Sequence, residues 1–431
     1  MKSNQERRKS LKCKGERNFL IVSVISAIIR LIEGKKGKKY NYIRDFSDVE
    51  TLPIVGKYIR PREYKDKDEE QLTNKLKVTF VDDICPGRGR SDPKYQDMHW
   101  GSTTGLLKGT LTIDKIASLP EKFRVGLFKH DRDYKVFCRM NHLFDDSPTI
   151  SINRLSLKLE YPCPVPNEYA AGGFAHELDL LLSEGLPPDE GGDGQGFFFR
   201  DGRQLLMLNH MKGGLSAAVA VLVNKANVPQ VKKWKKKIFG NSVDQLYEGG
   251  QARKSWAGKH YYSAGPYALG DGLMKFSLAP HVPDDLGREL APDLDNPTDV
   301  HLAKSEELVS RDRKVCFDLC VQIATVDSIP EPKEGDPPKD VMAVEYTDLV
   351  WDNEKAPFTK VGTLEMEVIS TDHSEAEKHW YAVSFNAWNT LHCMRPMGQL
   401  FRARREVHRY YREQRMKRSF ETDAKPKCPF H

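Results

Sequence analysis

The sequence predicts an α+β protein in which strands alternate with long, polar connections and one basic helix lies near the C-terminus. Residues 98–113, MHWGSTTGLLKGTLTI, contain an alternating apolar and polar run typical of a strand. Residues 313–326, RKVCFDLCVQIATV, predict another strand. Residues 69–81, EEQLTNKLKVTFV, are helix-like and begin the compact part of the chain.

The C-terminal helix is predicted from residues 383–412, VSFNAWNTLHCMRPMGQLFRARREVHRYYR, an aromatic-rich turn that runs into a basic segment. No Gly or Pro follows Gly398 within this stretch. Arg404 and His408 are one helical turn apart, so their side chains are expected to point the same way. The inward face is predicted to be an apolar stripe at helical spacing: Leu400, Ala403, Val407 and Tyr411.

Composition restricts the class of protein. The chain has 431 residues, more than a usual single core of about 100 to 200 residues, although some barrels form larger single domains. The 67 Lys and Arg residues exceed the 61 Asp and Glu residues by six. That excess is too small and too dispersed to indicate nucleic-acid binding.

The cysteines favour an intracellular, reducing compartment. Eight are spread along the chain, and only Cys316 and Cys320 are close together. On a strand these two would share a face but lie too far apart for an easy disulfide. Free thiols at scattered positions also act as small buried apolar residues, which is the simpler interpretation.

Residues 1–45 predict an N-terminal extension that combines a basic run with the apolar run FLIVSVISAII. The apolar run is too short to span a bilayer, since a helix needs about 20 residues for that. The arrangement is typical of a signal peptide or organellar leader, and peripheral membrane contact or an added buried helix are the alternatives. Residues 46–75, with Pro53 and Pro61, predict an extended arm.

Two central segments predict additions to the domain of residues 76–418, which a polar tail at residues 419–431 follows. Residues 161–203 are rich in Gly and Pro and predict a loop insertion. Within it, AGGFAHELDLLLSEG at residues 171–185 predicts a helix with an apolar face. The run KKWKKK at residues 232–237 favours a solvated helix face over contact with an anionic membrane.

The C-terminal stretch carries a family resemblance. Ser384 to Trp388, then Arg395 to Gly398, then Arg402 to Arg404 stand in the same order as the phrases SFNPWH, RPLG and RARxxxY. In these phrases the chain resembles the heme catalase superfamily, especially its catalase-related branch of allene oxide synthase-like and small peroxidase-like members. The family's iron-ligating Tyr falls on His408, and its neighbouring Arg falls on Arg404.

Four other positions extend the resemblance. His99 stands where the family has its distal acid and base, and Asn209 stands where it has the distal Asn. Arg139, in VFCRMN, matches an Arg that neutralises a heme propionate, with Asn141 in place of the family's Ser. Residues 259–281 and 344–368 match two longer family phrases, and the first is expected to form a turn that leads into a core barrel strand. The resemblance is collinear over about residues 75–415.

The resemblance implies a catalase-type fold: a closed antiparallel β-barrel with surrounding helices and long wrapping loops. It implies heme b, with His408 as the metal ligand or, after a register shift, Tyr411. The first functional hypothesis is a heme enzyme that acts on hydrogen peroxide or on organic and lipid hydroperoxides, with His99 and Asn209 as catalytic residues. The second is a catalase-like pseudoenzyme that has lost heme or activity and serves as a structural or assembly subunit of an oligomer or a larger complex.

Overall fold

The computed structural model describes residues 44–84, 101–143, 152–167, 173–185, 200–203, 205–206, 256–281, 314–370, 383 and 385–419. The predicted N-terminal extension up to residue 43, the KKWKKK run and the tail from residue 420 lie outside these ranges. The chain divides into two compact units, residues 1–44 with 207–238 and residues 45–206 with 239–431. The described residues, apart from Arg44, belong to the second unit.

Nine strands of this unit form one antiparallel sheet. Their bounds are β1 (Gly101–Ile113), β2 (Arg132–Leu143), β3 (Ile152–Pro166), β4 (Phe174–Glu184), β5 (Tyr261–Ser263), β6 (Tyr267–Leu269), β7 (Gly272–Pro280), β8 (Val315–Ile323) and β9 (Thr359–Ser370).

The sheet closes on itself. Its strand order is β5-β4-β3-β2-β1-β9-β8-β7-β6, and β5 also pairs with β7. That extra pairing closes eight strands into a barrel, and the short strand β6 pairs with β7 beside the ring. The closed antiparallel β-barrel with added helices is therefore confirmed, as are the strands predicted within residues 98–113 and 313–326.

Two glycines let β1 and β9 approach closely. A Cβ atom on Gly109 would lie 1.9 Å from the carbonyl oxygen of Glu365, and one on Gly362 would lie 2.3 Å from that of Thr112. No side chain can occupy such positions. Gly109, within the alternating run at residues 98–113, thus serves strand packing.

Three α-helices are described: α1 (Glu69–Lys77), α2 (Lys339–Glu345) and α3 (Gln399–Ser419). Helix α1 continues into a π-helical segment, Val78–Ile84, so the helix predicted within residues 69–81 is confirmed. No helix in this described part is long and apolar enough to cross a membrane. Single turns of 3-10 helix are Ile116–Ser118, Glu121–Phe123, Gly126–Phe128, Trp256–Gly258, Val326–Ser328 and His392–Met394.

The helix predicted at residues 171–185 was wrong. Residues 174–184 form β4, which pairs along its length with β3. Leu178 and the run Leu180–Leu182 are all buried, so this strand is covered on both faces and loses the alternation that marks a half-buried strand. Since β3 extends to Pro166, the described part of the predicted insertion at residues 161–203 contains barrel strands.

Helix α3 packs its apolar stripe inward as predicted. Leu400, Ala403 and Val407 are buried, and Tyr411 is partly exposed. Ala403 directly precedes Arg404, and Val407 directly precedes His408. The spacing therefore holds these two polar side chains against the rest of the unit.

The Arg402 guanidinium anchors the start of α3 to three acidic side chains. It donates hydrogen bonds to Glu63 at 2.8 Å, to Glu69 at 2.7 Å and to Glu345 at 3.2 Å, and to the carbonyl oxygen of Tyr64 at 2.8 Å. Burial alone would lower the pKa of Arg402, but the carboxylates of Glu69 and Glu345 raise it. One side chain thus joins α3 to α1, α2 and the arm that precedes α1.

Candidate functional site

Three neighbouring strands place polar side chains in two rows on one face of the sheet. In one row Asn141 of β2 is opposite Arg154 of β3, which is opposite Ser183 of β4. In the next row Arg139 is opposite Ser156. Residues two apart on a strand share a face, so the two rows lie side by side.

Helix α3 covers these rows and encloses a cavity. The side chains of Arg404 and His408 line it from α3, and Phe385 lines it from the loop before the helix. The described lining residues are Arg139, Asn141, Arg154, Ser156, Leu181, Leu182, Ser183, Ala264, Phe385, Arg404 and His408. The cavity therefore receives three guanidinium groups from three different elements.

Arg139 is held in a defined orientation. Its Nε donates a hydrogen bond of 3.2 Å to Oδ1 of Asn141, and its guanidinium lies 4.8 Å from the centre of the Phe385 ring. Phe385 in turn stacks on Phe137 at 6.5 Å. With only 9% of its surface exposed, Arg139 is an internal residue of β2 and belongs to the cavity.

The Phe385 loop is fixed by a buried ion pair beneath it. The Lys158 ammonium donates to the Asp179 carboxylate at 2.7 Å, and Asp179 also accepts from the backbone N–H of Asn386 and the side chain of Asn389, each at 2.8 Å. The Lys158 Nζ lies 5.3 Å from the centre of the Phe385 ring. Although burial disfavours its charge, the neighbouring carboxylates raise the pKa of Lys158.

His408 is neutral in this environment. Its ring keeps a little accessible surface, but the surrounding atoms are dense enough that burial pushes its pKa well below the usual value. Arg404, Arg139 and Arg154 lower that pKa further, because a second positive charge is unfavourable next to theirs.

Arg404 lies among aromatic rings as well as in the cavity wall. Its guanidinium is 5.7 Å from the centre of the Phe401 ring. Burial lowers the pKa of Arg404, and the neighbouring phenol of Tyr267 opposes that shift. Burial likewise raises the pKa of Tyr267, so the phenol stays protonated. The Tyr267 and Phe401 rings meet edge to face at 5.1 Å.

The structure brings together three of the five predicted site residues. Arg139, Arg404 and His408 line the same cavity, whereas His99 and Asn209 lie outside the described residues. Tyr411, the alternative ligand, is not among the described lining residues. Sequence reasoning missed Arg154 and Ser183. Arg154 lies opposite Asn141 and two residues from Ser156, and Ser183 lies opposite Arg154, so both positions follow only once the strand register is known.

The described residues do not fit heme. The cavity beside His408 has a volume of about 20 Å³, which is room for water-sized groups or one compact ion. A porphyrin is many times larger. Moreover, burial and the neighbouring Arg404, Arg139 and Arg154 all lower the pKa of His408, so an iron ion bound to this ring would lie among positive charges.

No protein-family model matches the chain, and no curated protein matches it. Solved structures of catalases are similar to it in fold. A fungal catalase shows 12% identity over 92% of this chain and 72% of that chain, with a TM-score of 0.49. Catalase A from Saccharomyces cerevisiae shows 13% identity over 88% and 71%, with a TM-score of 0.49. A bacterial catalase shows 11% identity over 93% and 71%, with a TM-score of 0.46.

Proposed function

We propose that this chain is a catalase-like protein that works without heme, as a structural or binding subunit and not as a peroxide enzyme. The observation that carries the proposal is the arginine-lined cavity beside His408. The position that matches the family's iron ligand faces a space of about 20 Å³ that is shared with three guanidinium groups. A cofactor of porphyrin size would have to displace these side chains from that cavity.

Electrostatics supports the same proposal. Arg139, Arg154 and Arg404 all lie close enough to His408 to lower its pKa. A ferric ion bound to His408 would therefore sit within a cluster of positive charges, where Coulomb repulsion is strong and poorly screened. Arg404 would stabilise a tyrosinate at position 408 by its positive charge, but a neutral imidazole there carries no negative charge to stabilise.

One observation favours the rival hypothesis of a heme enzyme. His408 is neutral, and neutral imidazole is the form of histidine that binds iron in globins and peroxidases. Under this hypothesis peroxide or hydroperoxide would be the substrate. It requires the cavity to open by repacking of Arg154 and Phe385, and the ion pair beneath Phe385 opposes this movement.

A heme titration separates the two functions. The full chain is purified, mixed with increasing hemin, and followed by its visible spectrum. We expect no Soret band that saturates at one heme per chain. A saturable band that disappears in His408→Ala but persists in His281→Ala, an exposed histidine elsewhere, would overturn the proposal and establish His408 as the ligand.

The variant His408→Tyr gives a second test. It restores the family's ligand type one turn after Arg404. If only the ligand were missing, this variant would bind hemin and show the spectrum of a tyrosinate complex. We expect it to remain colourless as well, because the cavity is limited by Arg139, Arg154 and Phe385 and not by residue 408 alone.

A further inference from the structure

We propose that the cavity between strands β2 to β4 and helix α3 binds one small oxyanion, such as phosphate, sulfate or a carboxylate. The inference rests on the proposed function, because it takes the cavity to be free of heme. It deepens that function by naming the chemical class of the ligand.

The first argument is the convergence of charge. Arg139, Arg154 and Arg404 come from β2, β3 and α3, and all three line one cavity. Guanidinium groups present forked donors that match the oxygen pairs of phosphates and carboxylates. An anion placed between three guanidinium groups would be attracted to all of them.

The second argument is the set of neutral donors. Asn141, Ser156 and Ser183 are buried and lie on the same face as the arginines. Hydroxyl and amide groups can donate to the oxygens that the guanidinium groups do not reach. His408 also lines the cavity, and its imidazole is a further polar group that can contact the anion.

The third argument is preorganisation. Arg139 is oriented by the hydrogen bond to Asn141 and by the face of Phe385. The Arg404 guanidinium lies 5.7 Å from the centre of the Phe401 ring on the same helix. Side chains that are already ordered lose little entropy when a ligand binds, so the site does not have to assemble around the anion.

The size of the space selects a small ligand. A cavity of about 20 Å³ admits water-sized groups. One oxyanion head can enter by taking the place of water, whereas a nucleotide or a lipid chain would not fit within the described walls. Formate and inorganic phosphate are suitable probes, because they separate a planar carboxylate from a tetrahedral anion.

The test is an anion titration of the full chain in a phosphate-free buffer, with ionic strength held constant by sodium chloride. Calorimetry and thermal denaturation are followed as phosphate or formate is added. We expect saturable binding of one anion per chain and a rise in Tm that depends on its concentration. Absence of saturable binding with both probes overturns the inference.

Two variants that each remove one positive charge test where the anion binds. Arg154→Gln should weaken binding by about tenfold or more, since it removes a charge-assisted hydrogen bond. The control is Lys135→Gln, since Lys135 of β2 has an exposed ammonium that pairs with Glu160 at 3.1 Å. This variant should leave the affinity for the anion within about twofold. Equal losses in both variants would show nonspecific screening and overturn the inference.

Arg404→Lys distinguishes a loss of anion binding from a folding defect. It keeps the positive charge and the helix, so a loss of anion affinity with an unchanged Tm in the absence of anion reports the loss of the guanidinium fork. Unchanged anion affinity in this variant and in Arg154→Gln contradicts the site. The heme titration is scored separately: a chain that binds neither hemin nor anions keeps the proposed function and loses only this inference.

Discussion

The Lys158 ammonium lies 2.7 Å from the Asp179 carboxylate, directly across the pair of strands β3 and β4, and both side chains are almost completely removed from water. Asp179 also accepts hydrogen bonds from Asn386 and Asn389. The pair therefore connects the barrel wall with the loop that carries Phe385 over the arginine-lined cavity. Its geometry determines where one wall of the candidate site lies.

Removal of one partner of this pair should be strongly destabilising. Lys158→Met leaves the Asp179 carboxylate buried without its cation, and we expect the free energy of unfolding to fall by about 3 to 5 kcal/mol. Urea denaturation measures the change. The control is Lys135→Met, because Lys135 forms an exposed pair with Glu160 on neighbouring strands, and it should change stability by less than about 1 kcal/mol. Similar losses in the two variants would contradict the role of the buried pair.

Arg402 should be the most sensitive charged position of helix α3. Arg402→Gln leaves Glu69 and Glu345 buried without their shared cation, and we expect a loss of about 3 to 5 kcal/mol in urea denaturation. Arg409→Gln on the same helix removes an exposed partner of Glu406, for which the expected loss is about 0.5 kcal/mol or less. A small effect at both positions would show that the contacts of Arg402 contribute little.

Gly398 should not tolerate a side chain. Its φ is +90°, and a Cβ atom would lie 2.3 Å from the carbonyl oxygen of Val344. Gly398→Ala is expected to cost about 2 to 4 kcal/mol, from the left-handed backbone and the overpacking together. Gly335 has a φ of +85° with open space around it, so Gly335→Ala should show the backbone cost alone, about 1 kcal/mol. Thermal denaturation of both variants checks the difference.

His408 should make the fold sensitive to acid. In the unfolded chain a histidine takes up a proton near pH 6.5, but burial and the three arginines keep the pKa of folded His408 well below that value. Below about pH 6.5 the unfolded state therefore binds more protons, and stability falls by up to about 1.4 kcal/mol per pH unit until the folded pKa is reached. Urea midpoints measured between pH 7 and pH 5 should fall less steeply in His408→Gln. Equal slopes would show that His408 is protonated in the folded state.

The parts of the site that one helix carries could be predicted from sequence. The spacing of Leu400, Ala403 and Val407 indicated the buried face of α3 and so placed Arg404 and His408 together. A resemblance in short phrases added Arg139 on a different element. Helical periodicity is local, so these relationships do not depend on how the strands pair.

The parts that depend on strand register could not be predicted. Arg154 and Ser183 reach the cavity because β3 and β4 pair with β2 in one register, and a shift by one residue would turn them to the other face. Leu178, Leu181 and Leu182 also fit a helical stripe, so their spacing predicts a helix where the structure has strand β4. The burial of Lys158 and Asp179 could not be predicted, because a sequence alone does not show which charged residues are buried as a pair.

The three-residue strand β5 gives the barrel a mechanical weak point. In the described chain it meets β7 through two residue pairs, Tyr261 with Leu278 and Tyr262 with Ser277, and the hydroxyl of Ser263 accepts from the N–H of Phe276 at 3.3 Å. Every other strand junction of the ring has more pairs, so the ring should part first at this seam when the protein is strained or heated. An opened barrel would expose two unpaired strand edges to neighbouring molecules. Aggregation on heating would then begin from an almost native sheet.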